Sequence, residues 1–81
     1  MTEDETLILF TRPGCHLCEL AAGLLENLAI GWREVNIEDD PELEKRYGLL
    51  VPVVFSESTK KELPFPFGEE QLSRFVKGLD Q

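Results

Sequence analysis

The sequence predicts an α/β fold in the order β-α-β-α-β-β-α, a four-stranded mixed sheet with helices on both faces, and three observations lead there. Short apolar runs stand at Leu7 to Phe10 and Leu49 to Phe55, and Trp32 to Ile37 places Val35 and Ile37 on one face, each segment about the length of a strand. Segments with apolar residues at helical spacing lie between and after them. Turn residues, Pro13-Gly14, Gly31 and Gly48, fall where the period changes. The 81 residues make one domain, 1–81. A chain this short buries only a little over roughly 60% of the surface its unfolded form exposes.

Taken in order, Leu7, Ile8, Leu9 and Phe10 read as a buried strand, and Thr11-Arg12-Pro13-Gly14 as the turn that leaves it. From Cys15 onward, Leu17, Leu20, Ala21, Leu24, Leu25 and Leu28 recur at helical spacing, so they are expected to form the apolar face of a helix that exits at Gly31. Trp32 to Ile37 reads as a second strand with Val35 and Ile37 inward. Asp39-Asp40-Pro41-Glu42 is a helix start with a carboxylate at the cap and proline at the first position, and a short helix through Tyr47 stops at Gly48. Strand, helix and strand make a βαβ unit, right-handed with parallel strands.

Leu49 to Phe55 is the third expected strand, with Pro52 near its start, a tolerated place for a residue without an N–H. Ser56 to Lys60 is polar enough for a hairpin loop, and Lys61-Glu62-Leu63 is a short fourth strand, bounded by Pro64 and Pro66. Leu72, Phe75, Val76 and Leu79 mark a last amphipathic helix from about Gly68. A parallel pair followed by a hairpin fits a mixed sheet covered on both faces.

Composition narrows the function classes. Apolar content of 42% and a charged fraction of 30% suit a globular chain and argue against disorder. A net charge of −8 repels phosphate backbones and anionic membranes, so neither nucleic acid nor membrane is an expected partner. The acidic Glu3, Asp4, Glu5 and Glu38, Asp39, Asp40 read as solvated polar faces. The N-terminal residues are acidic rather than basic and the nearest apolar run is far too short for a signal-peptide core, which makes the cytoplasm the expected compartment. Thiols are kept reduced there, so two cysteines point to catalysis or metal binding before a structural staple.

Those cysteines stand in Cys15-His16-Leu17-Cys18, directly after the first strand and at the opening of the helix. An (i, i+3) pair in a first turn lies on one face with Cα atoms ~5 Å apart, within the disulfide window. The pair can therefore close and open with little backbone motion.

The element order, Thr11-Arg12-Pro13-Gly14-Cys15-His16-Leu17-Cys18, Val35-Asn36-Ile37-Glu38 and Val51-Pro52 together resemble the thioredoxin fold in its shortest version, the glutaredoxin-like proteins. The resemblance covers nearly the whole chain. It implies a thiol–disulfide oxidoreductase serving cell redox homeostasis, with Cys15 as exposed nucleophile, Cys18 as resolving thiol, and Pro52 cis and facing the disulfide. It also implies that Val51 offers backbone groups to an extended substrate. Two departures bear on chemistry. Thioredoxins carry a buried aspartate six residues before the first cysteine, where Leu9 stands here, so a thioredoxin-type proton relay is missing. Typical glutaredoxins have Pro-Tyr between the cysteines and a Gly-Gly pair where glutathione's carboxylate docks; here these places hold His16-Leu17 and Phe67-Gly68-Glu69-Glu70.

A thiol reacts as thiolate, and a free cysteine with a pKa of about 8.5 is only a few per cent ionised at neutral pH. Helix N–H groups, Arg12 three residues back and a protonated His16 would all favour the Cys15 thiolate. Cys18, flanked by Leu17 and Leu20, is expected to be more buried and to act second. His16 reads either as a tuner of redox poise or as an exposed spacer. Arg12 reads as a possible holder of a substrate carboxylate, Lys45 and Arg46 as a solvated helix face, and Phe65 and Phe67 as core or sheet edge. Glu69 and Glu70 put negative charge where a glutathione carboxylate would dock, while Gly68, at the start of the last helix, retains N–H donors for an anion, so glutathione is expected as a weak or non-specific co-substrate.

No organic cofactor or metal is required by this chemistry. The expected partner is a disulfide-containing protein or a small thiol, and the chain is expected to act as a monomer. Two alternatives stand beside it: an iron–sulfur or metal carrier through Cys15, and a non-catalytic interaction module of the same fold.

Overall fold

A computed structural model describes residues 7–28, 31–57 and 59–78. It contains β1 (Leu7–Thr11), α1 (His16–Asn27), β2 (Trp32–Asn36), a 3-10 turn (Ile37–Asp39), α2 (Pro41–Tyr47), β3 (Val53–Ser56), β4 (Glu62–Pro64) and α3 (Glu69–Gly78). The sheet order is β2-β1-β3-β4. β2 runs parallel to β1, while β3 is antiparallel to both β1 and β4. This is the mixed sheet and element order expected. Leu79 of the expected last helix and the acidic Glu3, Asp4 and Glu5 lie outside the described residues.

Strand alternation divides the core in two. Leu7 and Leu9 of β1 and Val54 of β3 pack with Ala21 and Leu25 of α1 and Leu72 of α3, whereas Ile8, Phe10 and Val53 turn to Ile37 and Tyr47 on the α2 side. A strand buried on both faces needs an unbroken apolar run, which is why Leu7 to Phe10 shows no polar alternation. Phe10 stacks on Tyr47 with ring centroids 4.6 Å apart, joining β1 to the end of α2. Phe67 is buried in the α1–α3 core and Phe65 packs edge-on against it at 5.3 Å, so both serve packing.

Three local expectations are corrected. Leu17 and Leu20 do not join the apolar face of α1; they are exposed, and the buried stripe is Cys18, Ala21 and Leu25. The segment 49–52 is not strand, and β3 begins at Val53: the Tyr47 carbonyl accepts the N–H groups of Leu50 and Val51, which folds them into the turn after α2 and leaves Leu49 fully exposed. β2 stops at Asn36, whose side-chain oxygen accepts the Glu38 N–H at 2.9 Å and turns the chain, so Ile37 reaches the core from the 3-10 turn. The start of α2 is as read: Asp40 caps it by accepting the Glu42 N–H at 2.9 Å, with Pro41 at the first helical position.

Candidate functional site

The site lies at the C-terminal end of β1, where the chain leaves the sheet for α1. Gly14 takes φ +74°, a left-handed conformation that an L side chain rarely adopts, and this turn delivers Cys15 to the N-cap of α1. The Cys15 sulfur is the capping group and accepts the N–H of Cys18 at 3.1 Å. An oxygen cap satisfies one of the free N–H groups of a helix start, and sulfur does the same here. Such an N–H, together with the positive end of the helix, favours a thiolate over a thiol at Cys15.

The two cysteines are joined, with Cα atoms 5.2 Å apart. Cys15 is partly accessible and Cys18 is 3% exposed, so a molecule in solution meets Cys15 first. His16 is exposed at the start of α1 and shares no hydrogen bond or ion pair with another described side chain, as its position between the thiols allows. Leu9, where a thioredoxin-type aspartate would stand, is fully buried in the α1–α3 core. Thr11 and Ser56 are the buried polar residues among those described, and neither is a carboxylate that could stand in for the thioredoxin-type aspartate.

Arg12 is partly buried and tied to partners within the protein. Its Nη1 donates to the Gly48 carbonyl at 3.0 Å, its Nη2 meets the Glu44 carboxylate at 2.6 Å, and its Nε lies 3.8 Å from Glu38. The guanidinium thus ties the turn before Cys15 to the end of α2, and its charge is balanced by two acids. Sequence reasoning placed Arg12 beside the nucleophile but missed Glu44 and Gly48, since no local pattern marks a contact across such a separation.

Gly48 is required at its place by close approach: a Cβ there would meet the Glu44 carbonyl oxygen at 2.5 Å. Pro52 is fully buried, and the Val51–Pro52 and Phe65–Pro66 peptides are cis. Continuing the β1–β3 register one step beyond Phe10 and Val53 sets Pro52 opposite Thr11, at the end of the sheet from which the cysteine turn departs. The N–H of Val51 donates to Tyr47, so that group is already engaged. The Gly68 N–H is likewise engaged: Gln71 reaches back to accept it at 2.6 Å, the reciprocal half of a capping box. Gly68 therefore starts α3 without offering its own N–H to an anion.

A cleft of ≈ 290 Å³ opens beside the disulfide, lined by the cysteines, Arg12, Glu19, Glu34 and Asn36 among others. Among the described residues no group of three or more His, Cys, Asp or Glu side chains is arranged to hold a metal ion. No helix among them is long and apolar enough to cross a membrane.

The family described as Glutaredoxin-like domain (DUF836) matches residues 6–77, a span that takes in the cysteine turn, the sheet and α3. The chain belongs to this glutaredoxin-like family. It is similar to the X-ray structure of target protein XcR50 from X. campestris, with 37% identity, 89% of this chain and 96% of that chain covered, and a TM-score of 0.82. It is also similar to protein Ne2328 from Nitrosomonas europaea, with 28% identity, coverage of 93% and 94%, and a TM-score of 0.78. Thioredoxin 1 from Thermosipho africanus shares only 14% identity over 94% of this chain and 99% of that one, yet reaches a TM-score of 0.57, a likeness of fold. No curated protein matches the chain. A glutaredoxin-like domain of thioredoxin fold that carries Cys15 and Cys18 as a bonded pair has a redox-type role.

Proposed function

We propose that this glutaredoxin-like protein is a thiol–disulfide oxidoreductase of cell redox homeostasis, acting as a cytoplasmic monomer without organic cofactor or metal. The observation that carries the reading is the asymmetry of the pair. The Cys15 sulfur accepts a helix N–H and is accessible, whereas Cys18 is buried one turn further in. A nucleophile needs access and a stabilised thiolate, and a resolving thiol needs proximity alone.

With the pair reduced, the Cys15 thiolate attacks one sulfur of a substrate disulfide. The substrate S–S bond breaks, one substrate thiolate leaves and takes a proton from solvent, and a mixed disulfide joins Cys15 to the other half. Cys18 then loses its proton to solvent and attacks the Cys15 sulfur, expelling the second substrate thiol. The substrate gains two electrons and two protons; the protein, starting from the Cys15 thiolate, gives up the two electrons and one proton, solvent supplies the other, and Cys15–Cys18 closes. A reducing thiol or dithiol resets the pair by the reverse steps. With Leu9 in the core, the Cys18 proton leaves without a buried carboxylate relay.

The test is equilibration of the protein in buffers of reduced and oxidised glutathione, with the dithiol fraction read by alkylation and mass spectrometry. A single two-electron transition, with catalytic turnover of bis(2-hydroxyethyl) disulfide, is expected. A pair that does not cycle in any of these buffers contradicts the reading.

A further inference from the structure

Resting on the oxidoreductase reading, we infer that the cleft beside Cys15 selects disulfides flanked by positive charge, such as a cystine bordered by lysine, arginine or an amine, over anionic partners of the glutathione kind. The cleft has three ionisable lining groups besides the cysteines: Arg12, Glu19 and Glu34. The single cation is matched by Glu44 at 2.6 Å and Glu38 at 3.8 Å. Glu19 and Glu34 have no ion-pair or hydrogen-bond partner among the described residues, and both are exposed. An incoming group beside the disulfide therefore meets two carboxylates that no described residue pairs with.

Topology explains how those acids arrive there. Glu19 follows Cys18 in the first turn of α1. In the parallel β1–β2 pair Glu34 is opposite Leu9 and Asn36 opposite Thr11, and Trp32, two residues earlier than Glu34, packs in the α1–α3 core. Alternation along β2 thus turns Glu34 and Asn36 to the α1 face, at the end of the sheet where Cys15 leaves it. At ≈ 290 Å³ the cleft is at the small end of ligand pockets, with room for the side chains that flank a disulfide and not for an enclosed molecule.

Charge near a reacting sulfur acts on encounter, and its effect is strongest at low salt. The test uses the reduced protein and three small disulfides: cystamine, which is cationic, bis(2-hydroxyethyl) disulfide, which is neutral, and 3,3′-dithiodipropionate, which is anionic. Each rate is divided by that of dithiothreitol with the same disulfide, which removes leaving-group differences. The cystamine to dithiodipropionate ratio is expected to exceed one by about fivefold at low ionic strength and to fall toward one in 1 M salt. It should also fall toward one in Glu19→Gln/Glu34→Gln and persist in Glu26→Gln, at the far end of α1. A change in Cys15 reactivity common to all three disulfides cancels in the ratio. A ratio of one at low salt, or one that survives the double substitution, overturns the inference while leaving the oxidoreductase reading intact. Failure with all three disulfides overturns both.

Discussion

Arg12 donates to the carbonyl of Gly48 at 3.0 Å, across 36 residues of chain. The contact joins the turn that presents Cys15 to the segment that runs from α2 through Leu49, Leu50 and Val51 to Pro52. The guanidinium is part-buried, so this hydrogen bond is shielded more than the Glu44 ion pair, whose carboxylate is about half exposed.

Arg12→Met is accordingly expected to destabilise the protein by about 1 kcal/mol, mostly through the lost bond to Gly48, since exposed ion pairs contribute little. Urea unfolding reads the change. Because Glu44 and Glu38 already balance the charge of Arg12, the alkylation rate of Cys15 should move less than about twofold. A tenfold loss of Cys15 reactivity with unchanged stability would show that Arg12 acts on the thiolate directly.

Much of this fold is legible in residue order, for stated reasons. The unbroken run Leu7 to Phe10 marks a strand covered on both faces, and Asp40-Pro41 marks a helix start because cap and first position have distinct chemical needs. The cysteine spacing alone places Cys15 and Cys18 within bonding reach. Leu17 and Leu20 misled because helical spacing says which residues share a face and not how far the helix start projects past the sheet. Leu49 and Leu50 misled because an apolar run does not distinguish a strand from an exposed turn held by the Tyr47 carbonyl. The engagement of Arg12, Val51 and Gly68 by internal partners was not legible either, since each depends on a specific hydrogen bond.

Tyr47 supplies a pH dependence. Burial first, and then its hydrogen bond to the Glu62 carboxylate, push its hydroxyl from the ordinary 10.0 up to about 12. The unfolded chain therefore releases this proton near pH 10 while the folded chain keeps it, so stability falls as pH rises from about 10 to 12. Compared with Tyr47→Phe, which has no proton to lose, the natural protein should lose up to about 2 kcal/mol more over that interval. Parallel unfolding curves for the two proteins from pH 9.5 to 11.5 would contradict this.

Glutathione is expected to bind weakly. Glu69 brings negative charge to the start of α3, Glu70 is paired with Arg74 at 2.7 Å, and Gln71 already accepts the Gly68 N–H at 2.6 Å. Titration followed by amide NMR should show small shifts that do not saturate. Tight, saturable shifts centred on Val51 and on Gly68 to Glu70 would mean that the cap opens to admit the ligand.

The order of action of the two thiols is the centre of this account, and trapping of mixed disulfides tests it most directly. Cys18→Ser and Cys15→Ser are each incubated with a disulfide substrate and analysed by intact-mass spectrometry. Cys18→Ser should accumulate a mixed disulfide at Cys15, because attack proceeds and resolution is lost. Cys15→Ser should accumulate little, because Cys18 is only 3% exposed. Equal trapping by the two variants, or preferential trapping by Cys15→Ser, would contradict the assignment of Cys15 as nucleophile.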